Sequence, residues 1–455
     1  MMDTRDFAAR LARAIPGGAH TYSRGRDQFP SNAPALLTRG EGAYVWDADG
    51  NRYLDYGMGL RSVALGYSHR AVVDRVRAVL EDGNNLTMST LLELEAAEAF
   101  IDLVDSVEMV KFAKHGSNVT TAAVKIARAA TGRDLICVSR QHPFHSFDDW
   151  FIGSTVMDRG IPEQVKRGTV TFDFNEVGSL EALFAAHPKQ IAAVMVEPST
   201  HITPCPSDCA NWGSIGPDCG RCPKRVSNFL VQARQICDAH GALLILDEII
   251  TGFRWHEKGA QHLFNVKPDL TTFGKAMANG FALAALGGRR DLMDIGSIDV
   301  EGAERVFLLS TTHGPEMVGA AAFLGTLEAY RADDVCGHLW NYGAELVELW
   351  KRLASANGVG DSITLEGPAA SLAIVARDAE GQASGYFRAL FAQEMVKHGV
   401  LMPWVAPSLS HGAEELAITA TALDVAFSVY SMALSRGVQT YLEGPPLKPV
   451  FRRFN

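Results

Sequence analysis

The sequence is poor in the features that mark membrane, secreted and polyanion-binding proteins. Only 21% of its 455 residues are charged, and the formal net charge is −10. No Lys/Arg run forms a basic face, which argues against nucleic acid and anionic membrane as partners. No segment approaches the apolar length expected of a membrane-spanning helix. The N-terminal stretch MMDTRDFAARLARAIPGG carries Asp3 and Asp6 and has no apolar centre, so no secretory signal is expected there. The seven cysteines are an odd number in a long chain. They fit a reducing compartment better than a disulfide scaffold, and the cytoplasm is the expected location. Internal repeats, low-complexity tracts and flexible linkers are missing too. Small metabolites are left as the expected partners.

What is present is a globular chain, 47% hydrophobic, long enough for about three domain-sized units. Asn118 is placed to cap a helix with Val119, Ala122, Ala123, Ile126, Ala127 and Ala130 on its apolar face, ended by Gly132. Leu135–Val138 then reads as a short buried strand, and Ile191–Val196 as a second. Ser227 is placed to cap a helix closed by Gly241, with the strand Leu243–Leu246 directly after it. Continuous apolar strands separated by helices predict an α/β fold whose mostly parallel sheet is covered on both faces. Residues 200–226, rich in Cys, Pro, Gly and Asp, read as an inserted loop. Beyond about residue 330 the pattern suggests a separate α+β subdomain.

In an open parallel sheet, ligands bind where the strands end at their carboxyl side. Asp247 follows one such strand, in LLILDEIITGFR, where it is either a ligand-facing carboxylate or a helix cap. Lys275, in PDLTTFGKAMANG, follows Gly274 and another apolar run. A lysine in a partly apolar pocket loses its proton readily and attacks a carbonyl to form a Schiff base. Together with an upstream Asp it matches what a pyridoxal cofactor uses: an imine-forming lysine, and a carboxylate that keeps the pyridinium nitrogen protonated. Gly116, Ser117 and Asn118 open the first helix, where backbone N–H groups and a hydroxyl suit a phosphate as well as a plain cap.

These segments resemble, in order and spacing, the class III aminotransferases of the fold-type I pyridoxal-phosphate enzymes, and within them the glutamate-1-semialdehyde 2,1-aminomutase branch. The resemblance runs through IPGGAHTYSR, GEGAYVWDADGNRYLDYG, AVKIARAATGRD, VEP, LILDEIITGFR, FGKAMANG and ALGGRRDLM, which is nearly the whole chain. It implies a large cofactor domain over 71–330, carrying the insert 200–226, and a smaller domain built from 1–70 and 331–455. It implies that Lys275 forms an internal aldimine with pyridoxal 5'-phosphate and shuttles a proton between the substrate Cα and C4' of the cofactor. Asp247 would pair with the ring nitrogen, Ile249 and Phe144 would lie on the two ring faces, and Glu197 would sit beside O3'. His145 would lie near the ring, and Gly116, Ser117 and Asn118 would hold the phosphate. Thr311, in STTHG, matches a threonine that reaches the phosphate in the neighbouring subunit, which implies a homodimer with shared active sites. Thr21 and Arg24 fall where the aminomutase branch holds the substrate carboxylate, a task for which an Arg fork is suited.

The implied reaction is amino-group transfer between an amino donor and a carbonyl acceptor through pyridoxamine phosphate. The alternative is an intramolecular 2,1-amino shift. A more distant one is a non-catalytic scaffold that uses its Cys-rich insert. Several departures from the aminomutase pattern bear on this choice: His115 for Ser, Asn118 for Glu, Ser146 for Gly, and Pro315–Glu316 for an Asn-Pro pair. In the insert, Cys205, Cys209, Cys219 and Cys222 give C-x3-C-x9-C-x2-C. Four thiolates suit a structural zinc, and four reduced, unligated cysteines are the competing reading.

Overall fold

The computed structural model describes residues 4–142, 144–199, 202–205, 228–302, 304–314 and 316–455. The chain divides into two compact units, one of Met1–His69 and Gly337–Arg452, the other of Arg70–Cys336 and Arg453–Asn455.

The larger unit is built on seven strands: β1 (Met109–Ala113), β2 (Leu135–Ser139), β3 (Thr169–Phe172), β4 (Ile191–Val196), β5 (Leu243–Glu248), β6 (Leu270–Phe273) and β7 (Ala284–Gly288). Their spatial order is β1-β7-β6-β5-β4-β2-β3. Strands β3, β2, β4, β5 and β6 run parallel, and β7 is antiparallel to both of its neighbours. All six residues of β4 are buried, as expected of a central strand with helices on both faces. The helices relevant here are α1 (Arg70–Leu80), α2 (Leu91–Leu103), α3 (Gly116–Thr131), α4 (Val177–Ala186), α5 (Phe229–His240) and α6 (Met317–Ala332).

Helix α3 starts three residues earlier than its apolar pattern suggests. His115 is its N-cap, and Asn118 lies in the first turn, where its Oδ1 accepts the His115 N–H at 3.2 Å. Thus Asn118 still satisfies a helix-start donor, but from inside the helix by reaching back. Val119, Ala122, Ala123, Ile126 and Ala127 bury against the sheet, and Gly132 closes the helix with φ +65°. The N-cap of α5 is Asn228, whose Oδ1 accepts from Leu230 and Val231 N–H. Ser227 lies outside the described residues. Gly241 ends α5 with φ +62°.

The smaller unit holds a four-stranded sheet in the order Leu37–Glu41, Tyr44–Asp47, Arg52–Asp55, Val400–Leu401, the last pair parallel. A two-stranded ribbon pairs Ile363–Glu366 with Ala373–Ala376. Its core centres on Trp350, which meets Phe391 and Phe427 with ring centroids 5.2 and 5.0 Å away. The helix Ala413–Arg436 is long and apolar enough to cross a membrane by length and composition, which corrects the expectation that no segment is. Its Ala422, Leu423, Ala426, Phe427, Tyr430 and Ala433 recur at helical spacing and are buried in this core, so its apolarity has a packing role.

Candidate active site

Strands β1, β2, β4, β5 and β6 all deliver a predicted site residue just beyond or at their ends. Strand β6 is buried throughout and stops at Gly274, whose backbone is extended. Lys275 then opens a 3-10 turn, Lys275–Ala278, with φ +46°. A lysine in the left-handed region is uncommon, and such strain persists only where the surroundings enforce it. The three residues that follow, Ala276, Met277 and Ala278, are fully buried and supply that enforcement.

At the end of β5, the Asp247 carboxylate is held on both oxygens. Oδ1 accepts from the Ile249 N–H at 3.1 Å and from the Thr272 hydroxyl at 3.2 Å, and Oδ2 lies 2.7 Å from His145 Nδ1. Since a carboxylate accepts, the proton of this pair is assigned to Nδ1. The His145 carbonyl accepts from Thr120 Oγ1 at 2.9 Å, which anchors the histidine loop to α3. His145 Nε2 is buried and makes no hydrogen bond among the described residues. Glu197, one residue past β4, donates its backbone N–H to His142 Nδ1 at 3.2 Å. Glu197, His145 and Asp247 are all buried, with ligand-capable atoms within 4.8 Å of one another.

Two carboxylates and an imidazole could serve a divalent cation. A cation bound through His145 Nδ1 would have to break the 2.7 Å His145–Asp247 pair, whereas one bound through Nε2 would not. A heterocyclic N–H need not, because Oδ2 keeps a lone pair for a second donor. The residues present therefore fit a ring nitrogen.

The start of α3 offers backbone N–H groups and the Ser117 hydroxyl, whose oxygen also accepts the Phe147 N–H at 3.1 Å. Ile249 lies between two glycines. A Cβ on Gly116 would stand 3.1 Å from Ile249 Cδ1, and one on Gly274 would stand 3.0 Å from it. We expect Gly116→Ala to displace Ile249 and destabilise the fold by about 1–3 kcal/mol, the usual range for overpacking. The double variant with Ile249→Val should recover most of that loss. Chemical denaturation of the three proteins checks this, and a double variant no more stable than Gly116→Ala contradicts it.

Phe144 is 43% exposed and meets Phe151 edge-on at 6.0 Å. Thr311 is half-buried in the same unit, its carbonyl accepting the Gly314 N–H. Thr21 and Arg24 belong to the smaller unit, exposed on the short turn Tyr22–Arg24, where Arg24 N donates to Thr21 O. Cys205 is half-buried, and Cys209, Cys219 and Cys222 lie outside the described residues. Sequence reasoning missed Thr272, Thr120 and His142. Only Thr272 left a trace, since it sits on the same strand as the lysine segment and three residues before it.

Glu248 points away from Asp247, as neighbours on a strand must. It is fully buried and accepts from the Ala260 and Gln261 N–H groups at 2.9 and 2.8 Å and from the Thr251 hydroxyl. Burial pushes its carboxyl from 4.5 up to about 7. A raised acid favours the neutral form in the folded state, so its contribution is full below pH 4.5 and fades as pH rises through 7. Relative to Glu248→Gln, wild-type stability should fall by up to about 3 kcal/mol between pH 4.5 and 8. A stability difference that stays constant over that range in urea titrations contradicts it.

Comparison with known proteins agrees with this geometry. The class-III aminotransferase family matches residues 26–202 and 215–434. A glutamate-1-semialdehyde 2,1-aminomutase of Syntrophobacter fumaroxidans is 34% identical over 369 residues, covering 78% of this chain and 80% of that protein. One from Thermomicrobium roseum is 33% identical over 427 residues, 88% of this chain and 92% of its own. Among solved structures, the FumI protein of Sphingopyxis sp. MTA144, in its PLP internal aldimine form, is 26% identical. It superposes with a TM-score of 0.81 over 98% of both chains. An omega-transaminase from Sphaerobacter thermophilus, 24% identical with a TM-score of 0.77 over 94% of this chain and 97% of its own, shares the fold. The fold, the strand-end residues and these matches agree: this chain belongs to the class-III aminotransferase family.

Proposed function

We propose that this chain is a pyridoxal-phosphate-dependent aminotransferase that moves an amino group from an amino donor to a carbonyl acceptor. The observation that carries the reading is the presence of three chemistries at strand ends of one sheet: a lysine in a strained turn, a carboxylate held by an imidazole, and an open helix N-terminus. When bound, pyridoxal phosphate supplies an aldehyde carbon and an electron-accepting ring.

The protein's residues do the rest. Asp247 Oδ2 would hold a proton on the ring nitrogen, and the His145 Nδ1–H keeps that carboxylate aimed. Lys275 would hold the cofactor through its amine, and the same amine would carry a proton at the donor Cα. Gly116 and Ser117 receive the phosphate, with Asn118 bracing the turn. Ile249, Phe144 and Glu197 would line the ring. Thr21 and Arg24 take the substrate carboxylate. Thr311 completes the phosphate site of a second copy, so the working unit is a homodimer. The reducing cytosol is the expected setting.

The curated relatives at 33–38% identity favour a second reading, an intramolecular 2,1-amino shift. Against it stand His115, Asn118 and Ser146. Asn118 Oδ1 is engaged with the His115 backbone N–H. The discriminating test incubates the reconstituted protein with a panel of amino donors, with and without a 2-oxo acid. Intermolecular transfer predicts turnover only with both partners present. Conversion of glutamate-1-semialdehyde with no second substrate sinks it in favour of the shift.

A further inference from the structure

Three chain segments of the larger unit converge on the Lys114 ammonium. Lys114 lies between β1 and the start of α3, next to His115, Gly116 and Ser117. Its Nζ is 2.7 Å from Glu316 Oε1 and donates to the Ala282 carbonyl at 3.0 Å. Glu316 is the N-cap residue of α6, and its Oε2 accepts from Asn84 Nδ2 at 3.0 Å. Asn84 in turn accepts the Met317 and Val318 N–H groups, on its carbonyl and its Oδ1 respectively. Ala282 lies in the link between the Lys275 turn and β7. One ion pair therefore joins the start of α3, the segment leaving Lys275 and the entry to α6.

The packing is built around this pair. The Lys114 and Glu316 side chains are only 12% and 20% exposed. Burial holds the ammonium below its ordinary value despite the partner carboxylate, so its charge leans on Glu316. Gly319 lies inside α6, where glycine disfavours the helix. A Cβ there would stand 3.0 Å from Nζ and 2.9 Å from the Ala282 carbonyl, so glycine leaves the room the pair occupies. Among the described residues, strand β1 is at the sheet edge and is paired only with β7. The chain leaving it toward α3 has sheet support on one side, and the Lys114 bridge supplies the other tether.

We infer that Lys114 is a positioning residue for the phosphate site, holding the start of α3 in register with the Lys275 turn through Glu316 and Ala282. This rests on the reading of Gly116 and Ser117 as that site. Lys114 acts through the clasp with Glu316 and Ala282.

The sign of the Glu316 effect separates this from a plain charge effect. If Lys114 merely added positive potential, neutralising Glu316 would strengthen phosphate binding. If the clasp positions the loop, neutralising either member weakens it.

The test measures dissociation constants of pyridoxal phosphate and of pyridoxal, which lacks the phosphate. The proteins are the full-length wild type, Lys114→Met, the milder Glu316→Gln, and the exchanged pair Lys114→Glu with Glu316→Lys. We expect Lys114→Met and Glu316→Gln each to weaken pyridoxal phosphate binding about tenfold, as for members of one bonded network. Pyridoxal binding should stay within about twofold, and the exchanged pair should remain weak for pyridoxal phosphate, because a carboxylate at 114 cannot donate to the Ala282 carbonyl. Equal losses for both probes mean a merely structural role and overturn the inference. So does unchanged or tighter phosphate-dependent binding in Glu316→Gln. A wild type that binds neither probe overturns the reading of the site itself, and the inference with it.

Discussion

Lys275→Ala is expected to lower amino-transfer turnover by at least about a thousandfold, because one side chain serves both as the anchoring amine and as the proton carrier. The variant should still fold. The turn Lys275–Ala278 is held by the buried Ala276, Met277 and Ala278, and the lysine is only half-buried. Alanine in the left-handed region is no better placed than lysine, so the backbone strain is unchanged. The same protein should therefore melt within a few degrees of wild type while losing activity, measured as single-turnover conversion of an amino donor. An alanine variant that retains more than a tenth of wild-type turnover contradicts the role. Added alkylamines should restore part of the rate, since they return the proton carrier without the tether.

Asp247→Asn is expected to be the next most damaging change, lowering turnover by about 10²–10³ through lost charge at the ring nitrogen. The substitution is nearly isosteric, so Oδ1 can keep the Ile249 N–H and Thr272 hydroxyl contacts. What changes is Oδ2. An amide there presents N–H groups to His145 Nδ1, which must give up its own proton to accept one. A charge-assisted hydrogen bond becomes a neutral one of the opposite sense, and the preference for a protonated ring is lost. We expect slow chemistry with cofactor binding reduced far less, read as a fall in kcat larger than the loss of cofactor affinity. Equal falls in both mean that Asp247 only holds the ring in place.

The fold was largely visible in the residues. The apolar runs 135–138, 191–196 and 243–246 are strands of the sheet, and Gly132 and Gly241 end their helices in the left-handed conformation. Helix starts were less visible. Asn118 has a good capping side chain, but it caps from the first turn rather than from the N-cap, and the two arrangements look alike in sequence. The apolar length of Ala413–Arg436 is hard to read from the sequence, because a buried core helix and a membrane-spanning one have similar composition.

The site was visible in part for a different reason. His145 and Asp247 are 102 positions apart, and no local pattern says that their loops converge. Motif spacing supplied that, by resemblance. Nothing in the sequence signals the left-handed backbone of Lys275, which depends on the buried packing behind it. Nor does anything signal the Lys114–Glu316 bridge, since most lysines are solvated and this one is distinguished only by what surrounds it.

The most direct measurement is covalent trapping. The full-length protein is reconstituted with pyridoxal phosphate, reduced with borohydride, digested and mapped by mass spectrometry. The account predicts one cofactor adduct per chain, on the peptide that contains Lys275, and none after Lys275→Ala. An adduct on another lysine, or no adduct from protein that is folded and saturated with cofactor, contradicts it.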